Sequence, residues 1–199
     1  GIRSIKWTAA QGFFLNEKHV LIEGINAHDD RAGWGIAQTN AGFRRDVKLM
    51  KEAGFNLIRE CHNPHDVSWD EAADQLGILE WAENDFWGVG GYNTSEDGGW
   101  RQSSYPTNTT DEQPFEENLK QQLTEFIRER RNHPSIIVWS MGNETFDCAS
   151  GTPMTKCKAF YKVLVALSQS LDPSREAAVA VGPRSARADQ GDHRPGGRG

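Results

Sequence analysis

Short apolar runs alternate with longer segments of helical periodicity along this chain, and this alternation restricts the fold more than any other feature. The runs "FNLIREC", "ILEWAEN" and "PSIIVWSMGNE" carry apolar residues at almost every position. Such runs are typical of strands buried on both faces, in a parallel sheet that is covered by helices. The sequence therefore predicts an α/β fold.

Helical segments fill the intervals between these strands. In the first, Phe43, Val47 and Met50 recur at helical spacing, with Asn40 as the expected cap and Gly54 as the stop. A second helix is predicted to end at Gly77. The segment His19–His28 is predicted to begin as a strand, and "AAVAVG" to form another. Further predictions are a helix over Thr155–Leu171 and a long polar loop over Gly88–Gln113. A helix is also predicted to begin at Pro114, and its apolar face consists of Phe115, Leu119, Leu123, Phe126 and Ile127.

Two parallel-sheet architectures fit this order, a doubly wound sheet and a (β/α)₈ barrel. No Gly-rich phosphate loop follows the first strand, which argues against a dinucleotide-binding version. Polar residues gather where the strands end, as in a barrel, whose chemistry lies at the carboxyl ends of its strands. These residues are His28, Asp29 and Asp30, then Arg59 and His62, then Glu83 and Asp85, and finally Asn143 and Glu144.

The predicted fold is a partial TIM-type barrel of four to five β/α units. A complete barrel needs eight units and roughly 250 residues, whereas this chain has 199. Residues 1–182 are assigned to the barrel domain. Residues 183–199 contain no aromatic residue and no Leu, Ile or Val, so they are predicted to form a disordered tail. A partial barrel exposes strand edges, and we expect a homo-oligomer or another chain to cover them.

Charge and composition argue against several classes of function. A net charge of −6 disfavours nucleic acid and anionic membranes as partners. Neither a transmembrane run nor a signal peptide is evident in these residues. Three cysteines do not form a disulfide framework, although a Cys148–Cys157 bridge is an alternative. We expect a cytoplasmic protein.

Glu144 is the candidate for chemistry, because it ends the apolar run of the fourth predicted strand. At a barrel rim, a partly dehydrated carboxylate holds a proton more readily, as a general acid requires. The adjacent Asn143 can both donate and accept hydrogen bonds, which suits a substrate hydroxyl. The alternative for Glu144 is a helix-capping or loop residue.

Several segments, in order, resemble glycoside hydrolase family 2. "NHPSIIVWSMGNE" is similar to the acid/base signature of that family. "FFLNEKHVLIEGINAHDD", "FRRDVKLMKEAGFNLIRECHNPH" and "DQLGILEWAEN" resemble the family's entry into its barrel and the strands that follow. The resemblance covers roughly residues 13–171 and is nearest to the β-galactosidase branch. It implies hydrolysis of O-glycosidic bonds, with β-galactosides as the expected substrates.

The resemblance also implies roles for individual residues. Glu144 would be the general acid/base, and Asn143 would contact the sugar beside the cleaved bond. Arg59 and His62 match pocket residues; a structural ion pair and a satisfied histidine are their alternatives. His28 matches the family's histidine after the first strand, and Asp29 or Asp30 is expected to hold it by a hydrogen bond. From their positions in or beside the long loop, Trp87, Trp100 and Tyr105 are expected to stack on sugars, whereas Trp81 and Trp139 are expected to pack in the interior.

The sequence departs from the family pattern at two places. The family's nucleophile is a Glu on a later strand, and no residue here matches it. Glu83 and Asp85 are the best substitutes, although a structural, hydrogen-bonded carboxylate is the favoured interpretation of Glu83. The segment "AENDFWG" lacks the His that holds magnesium in many β-galactosidases of the family, so no required metal or cofactor is expected, with Mg²⁺ as the alternative. The rival function is a non-catalytic carbohydrate-binding fragment or an inactive remnant.

Overall fold

The computed structural model describes residues 2–87, 104–106, 108–145 and 152–180, with only the backbone described for 152–154. Within these ranges the chain forms eight strands and four helices. The strands are β1 (Ile5–Thr8), β2 (Gly12–Leu15), β3 (Lys18–Val20), β4 (Gly24–His28), β5 (Leu57–Cys61), β6 (Leu79–Glu83), β7 (Ile136–Asn143) and β8 (Glu176–Ala180). The helices are α1 (Asn40–Glu52), α2 (Val67–Leu76), α3 (Thr109–Arg130) and α4 (Thr152–Leu171).

Strands β4 to β8 form one parallel sheet in which spatial order follows chain order. A doubly wound sheet reverses its strand order at a switch point, and this sheet does not. Helical residues pack against one face of the sheet in two apolar clusters. The predicted partial barrel is therefore confirmed, and the doubly wound alternative is wrong.

Helices α1 and α2 follow the predicted pattern closely. Phe43 and Val47 are buried against the sheet. Thr39, rather than Asn40, caps α1, because its side chain accepts a hydrogen bond from the backbone N–H of Gly42. Helix α2 ends as predicted at Gly77, whose left-handed conformation (φ 68°) is one that glycine adopts without steric strain.

Helix α3 begins five residues before the predicted start at Pro114. The side chain of Asn108 accepts from the N–H of Thr110, and acidic residues in the first turn favour a helix start there. Pro114 consequently lies inside the helix. The predicted apolar face is confirmed, with Leu119, Leu123, Phe126 and Ile127 buried against α4 and the sheet.

A small antiparallel sheet of β1, β2 and β3 precedes the barrel strands and was not predicted. The segment His19–His28, predicted to begin as a strand, contains the end of β3 and then the separate strand β4. Phe13 of β2 is buried against Leu57, the first residue of β5, in a cluster without helical residues. The antiparallel sheet therefore covers the concave face of the barrel near the amino ends of its strands, opposite the predicted site.

Several predictions fall on residues that the structure does not describe. The tail at 183–199, Trp100 and most of the long loop lie outside the described residues. Cys157 is a free, buried thiol, as is Cys61. Cys148, the other member of the alternative Cys148–Cys157 bridge, lies outside the described residues. None of the described helices combines the length and apolar character that crossing a bilayer requires.

Candidate active site

The carboxyl end of β7 passes very close to the segment that follows β6, and this close approach explains why residue 142 is a glycine. Gly142 has a φ of 155°, and a Cβ there would lie 2.2 Å from the carbonyl oxygen of Phe86 and 2.6 Å from the hydroxyl of Tyr161. The N–H of Asn143 donates to the same Phe86 carbonyl at 3.0 Å. Only glycine fits at this position, and the hydrogen bond fixes where Asn143 leaves the sheet.

Glu144 follows the last registered pair of β7 and β8, which joins Asn143 to Ala180. Its N–H donates to the Ala180 carbonyl at 2.9 Å. Its φ of 50° places it in the left-handed region, a conformation that costs roughly 1–3 kcal/mol in a residue with a Cβ and clusters at functional sites. Its side chain is exposed. The expected partial burial of Glu144 is therefore wrong for this chain, because the residue turns out of the sheet beyond the last strand pair.

A buried carboxylate, Glu83 at the end of β6, organises the polar residues beside Glu144. Its side chain is fully buried and accepts from Arg59 Nη2 at 2.8 Å and from Ser140 Oγ at 2.9 Å. The Nδ1 of His62 lies 2.8 Å from its second oxygen. Arg59 Nη2 also donates to Asn143 Oδ1 at 2.8 Å. The result is one connected network across β5, β6 and β7, which ends at the residue before Glu144.

This network determines what its members can do. Arg59 is partly buried, and it pairs with Glu83 and Asn143 rather than with Glu144. Charge-assisted bonds to a guanidinium are strong and directional, so Glu83 is firmly held in place. Its burial and saturated oxygens fit a structural carboxylate better than an attacking nucleophile. Ser140 was missed by the sequence analysis, although a hydroxyl within a buried apolar run is a usable signal.

The histidines and Trp87 extend this network outward. The ring of exposed His28 meets the ring of His62 edge-on, with centroids 5.3 Å apart. The ring of Trp87 lies 5.9 Å from that of His62, and Trp87 is 46% exposed. Asp29 accepts from Asn63 Nδ2 at 3.3 Å. Among the described contacts Asp29 therefore holds Asn63, and the expectation that it holds His28 is wrong.

Three other predicted residues lie away from this site or in the interior. Asp85 is exposed and lines a cleft with Gln122 and Glu125 of α3, on the helix side of the sheet. Tyr105 is buried and its hydroxyl donates to Glu116 at 2.7 Å, so the expectation that it stacks on sugars is wrong. Trp81 packs against the β1–β3 sheet, as predicted for an interior residue.

His28, Cys61 and His62 bring three potential metal ligands within 4.8 Å of one another. Burial raises the pKa of the Cys61 thiol, which disfavours the thiolate that a metal requires. Arg59 Nη1 lies 3.6 Å from Cys61 Sγ; its charge partly opposes the effect of burial on the thiol and would repel a metal cation at this place. Burial of the thiol and the nearby guanidinium therefore both disfavour a metal centre here.

Comparison with known proteins agrees with this geometry. Residues 7–189 match the model of the TIM barrel domain of family 2 glycosyl hydrolases. The chain belongs to this family. The match covers the whole barrel sheet, and it confirms the family that the ordered motifs indicate.

The relatives carry two activity names. The chain is 38% identical over 175 residues to a β-glucuronidase of Bacteroides fragilis, covering 88% of this chain and 23% of that protein. It is 32% identical over 145 residues to a β-galactosidase of Lactococcus lactis, covering 73% of this chain and 13% of that protein. The crystal structure of Parabacteroides merdae β-glucuronidase superposes with a TM-score of 0.73 at 29% identity, covering 90% of this chain and 21% of that one. The chain thus spans about a fifth of the length of the curated relatives it matches.

Proposed function

We propose that this chain supplies the acid/base half of a β-glycosidase active site, with Glu144 as the general acid and base. The observation that carries the proposal is the position of Glu144, at the carboxyl end of a barrel strand and next to a side chain, Asn143, that is held by Arg59. Chemistry in TIM barrels takes place at this end of the strands. Family membership supports the reaction class.

In the proposed reaction, Glu144 donates its proton to the glycosidic oxygen as the bond from the anomeric carbon to that oxygen breaks. The leaving alcohol departs with this proton. Glu144, now a carboxylate, then removes a proton from the water that attacks the anomeric carbon. Asn143 binds a hydroxyl of the same sugar, and its hydrogen bond with Arg59 fixes the orientation of its amide.

The mechanism needs a second carboxylate facing Glu144. In retaining enzymes, where one residue acts first as acid and then as base as proposed for Glu144, the second carboxylate bonds to the anomeric carbon as the glycosidic bond breaks and is displaced when water attacks, and the two carboxyl groups lie about 5–5.5 Å apart. In inverting enzymes the second carboxylate itself activates the water, and the groups lie about 6.5–9.5 Å apart. Glu83 has its oxygens occupied by Arg59, His62 and Ser140. We therefore propose that Glu83 positions the pocket residues, and that another segment or a second chain provides the second carboxylate.

The sugar is proposed to be a β-linked galactoside, as the sequence resemblance indicates. Relatives with both activity names leave β-glucuronides as the specific alternative. The two sugars differ in the group on C5, which is a hydroxymethyl group or a carboxylate, and in the configuration of the C4 hydroxyl. Nitrophenyl derivatives of both, assayed side by side, distinguish a neutral pocket from one that binds an anion.

The decisive variant is Glu144→Gln, assayed with nitrophenyl β-galactoside, nitrophenyl β-glucuronide and a natural β-linked disaccharide. Loss of general acid–base help is expected to lower turnover by about 10²–10⁴-fold. The loss is expected to be larger with the disaccharide, because its alcohol leaving group depends more on protonation than nitrophenolate does. Glu176→Gln is the matched control, since Glu176 is an exposed glutamate at the opposite end of the neighbouring strand β8.

Undiminished turnover by Glu144→Gln would remove Glu144 from the mechanism. The exposure of Glu144 and the full occupancy of Glu83 favour one second candidate, a non-catalytic carbohydrate-binding domain. Calorimetry with galactose and glucuronate separates the two. Sugar binding without turnover selects the binding domain, and the absence of both overturns both assignments.

The proposed partner is a second copy of the chain or another segment that covers the open sheet. Strands β4 and β8 are the two edges of the five-stranded sheet, and an open groove between them is lined by Asn26, Arg59 and Trp81. Unpaired strand edges favour association. Gel filtration is expected to show a species larger than the 22.2 kDa monomer, and a clean monomer would contradict this proposal.

A further inference from the structure

A second group of buried carboxylates lies on the helix-covered face of the barrel sheet, apart from the candidate active site. Glu60 of β5, Asp70 of α2 and Glu80 of β6 are each fully buried. Each offers a carboxylate oxygen, and these oxygens all lie within 4.8 Å of one another. Three adjacent carboxylates that are removed from water repel one another strongly when they ionise. Protons, a cation or other partners must therefore stabilise the arrangement.

Hydrogen bonding within the protein does not complete this stabilisation. Within the part of the chain that the structure describes, both oxygens of Glu80 lack a hydrogen-bond partner, and so do Oε1 of Glu60 and Oδ1 of Asp70. The remaining two oxygens are held from outside the group, since Glu60 Oε2 accepts from the N–H of His65 at 3.4 Å and Asp70 Oδ2 accepts from Arg130 Nη1 at 2.9 Å. Glu60 and Asp70 are thus each oriented through one oxygen. The other four carboxylate oxygens of the group have no donor among the described residues.

The charges around the group are also unbalanced. In the described part of the chain, Arg130 is the cation that pairs with the group, which leaves two negative charges if all three acids ionise. Burial and mutual repulsion raise the pKa values of Glu60 and Glu80 well above their usual range. Burial likewise raises the pKa of Asp70 to about 6, despite Arg130.

We propose that Glu60, Asp70 and Glu80 bind a divalent cation of the hard, oxygen-preferring class, with Ca²⁺ as the best fit. Carboxylate oxygens are the ligands that Ca²⁺ prefers, at roughly 2.3–2.6 Å. One ion at that distance bridges oxygens that lie up to about 5 Å apart, which accommodates the observed spacing. Two positive charges would neutralise the excess left after Arg130. The ion would join β5, β6 and α2 through these three side chains.

A shared proton is the competing way to relieve the repulsion. Glu60 and Asp70 are close enough for a hydrogen bond between them to lower the pKa of Asp70. The hydroxyl of Ser135 lies near enough to lower the pKa of Glu80, although it makes no hydrogen bond of normal geometry. Protonation would satisfy these groups at acidic pH, whereas a cation would satisfy them at neutral and alkaline pH.

Thermal unfolding of the 199-residue chain tests the proposal. The protein is dialysed against EDTA, then titrated at pH 8 with Ca²⁺, Mg²⁺ or Mn²⁺. Bound Ca²⁺ is expected to raise the melting temperature, with an unfolding constant about 100-fold lower once free Ca²⁺ reaches 100 times its Kd. Elemental analysis of the protein after gel filtration is expected to find one Ca²⁺ per chain.

Two variants locate the ion. Glu80→Gln removes the carboxylate whose two oxygens are unpartnered, and it is expected to abolish both the thermal shift and the bound Ca²⁺. Glu71→Gln makes the same charge change at an exposed residue of α2, next to Asp70, and is expected to retain both. Glu60→Gln provides a second test if Glu80→Gln fails to fold.

The absence of a thermal shift and of bound metal in the unmodified chain would overturn the proposal and leave the shared proton. An equal Ca²⁺ response in the unmodified chain and in Glu80→Gln would also overturn it. Because neither measurement uses a sugar, failure here leaves the proposed glycosidase function untouched.

Discussion

Glu80 and Glu83 lie three residues apart on the same strand, are equally buried, and have opposite surroundings. Glu83 lies beside Arg59, His62 and Ser140, which contact both of its oxygens. Glu80, on the other face of β6, has no hydrogen-bond partner among the described residues for either oxygen. Burial is the same at the two sites, so the difference lies in the residues that the neighbouring elements bring to each.

This difference shows that the partners of a buried carboxylate decide whether its negative charge is compensated or not. Removing a charge from water costs several kcal/mol, and only close, well-oriented partners offset that cost. Around Glu83, strands β5 and β7 supply a guanidinium, an imidazole and a hydroxyl. Around Glu80, strand β5 and helix α2 supply two further acids. The first face is therefore suited to holding a polar substrate pocket in shape, and the second to binding a cation.

The largest effect on stability is expected from Glu83→Gln, which tests whether the partners of Glu83 compensate its charge. The amide keeps the shape of the side chain but leaves the charge of Arg59 without its partner. Breaking a buried ion pair in this way is expected to lower the free energy of unfolding by about 3–5 kcal/mol. Urea denaturation at pH 7, compared with the exposed-site control Glu23→Gln, measures the effect. A loss as small as that of the control would show that Arg59 does not depend on Glu83.

The smaller effect, of opposite sign, is expected from Glu80→Gln in the absence of divalent cations. Replacing an unpartnered buried acid with a neutral amide is expected to raise the free energy of unfolding at pH 8 by about 1–3 kcal/mol. Urea denaturation in EDTA, with Glu71→Gln as the control, measures the difference. A decrease at pH 8 would indicate that the carboxylate of Glu80 has a stabilising partner after all.

The dependence of this effect on pH has a definite sign. The pKa values of Asp70, Glu60 and Glu80 are raised in the folded state, so the folded chain binds protons more tightly than the unfolded chain. Stability from this group is therefore full below about pH 4, and it falls as the pH rises through 6 and beyond. In EDTA, the stability of Glu80→Gln should fall less than that of the unmodified chain as the pH rises. Among the described residues, Arg130, Asp74 and His133 are charged or titratable groups near the three acids, Glu83 acts on them electrostatically from the other face of β6, and His65 donates its N–H to Glu60.

Much of the fold follows from the chain's local patterns. Apolar runs and helical stripes predicted β5 to β8 and the faces of α1 and α3, because the side-chain period of a strand or helix is a local property. The β1–β3 sheet was not predicted, since its strands have three or four residues each and such lengths carry little periodicity. The early start of α3 was missed because capping by Asn108 outweighed the more evident signal of Pro114.

The site was predictable as a set of residues but not as a set of contacts. Polar residues at strand ends placed Arg59, His62, Glu83 and Asn143 at one edge of the sheet, where the structure joins them. Asp85 was predicted at the same edge but lies on the helix side, because it follows the strand and turns away from the concave face. A charged residue inside each of the apolar runs of β5 and β6 was the available signal for Glu60 and Glu80.

The sequence alone determined the α/β class, the order of the barrel elements and the polar end of β7, because periodicity, caps and glycines act within a few residues. The tertiary structure decided which charges meet. Arg59 and Asn143 are 84 positions apart in the chain, and Arg130 lies 60 positions from Asp70. Such partners are set by sheet register and by which face each side chain occupies, and a shift of one residue would place Glu83 and Glu80 on each other's sides.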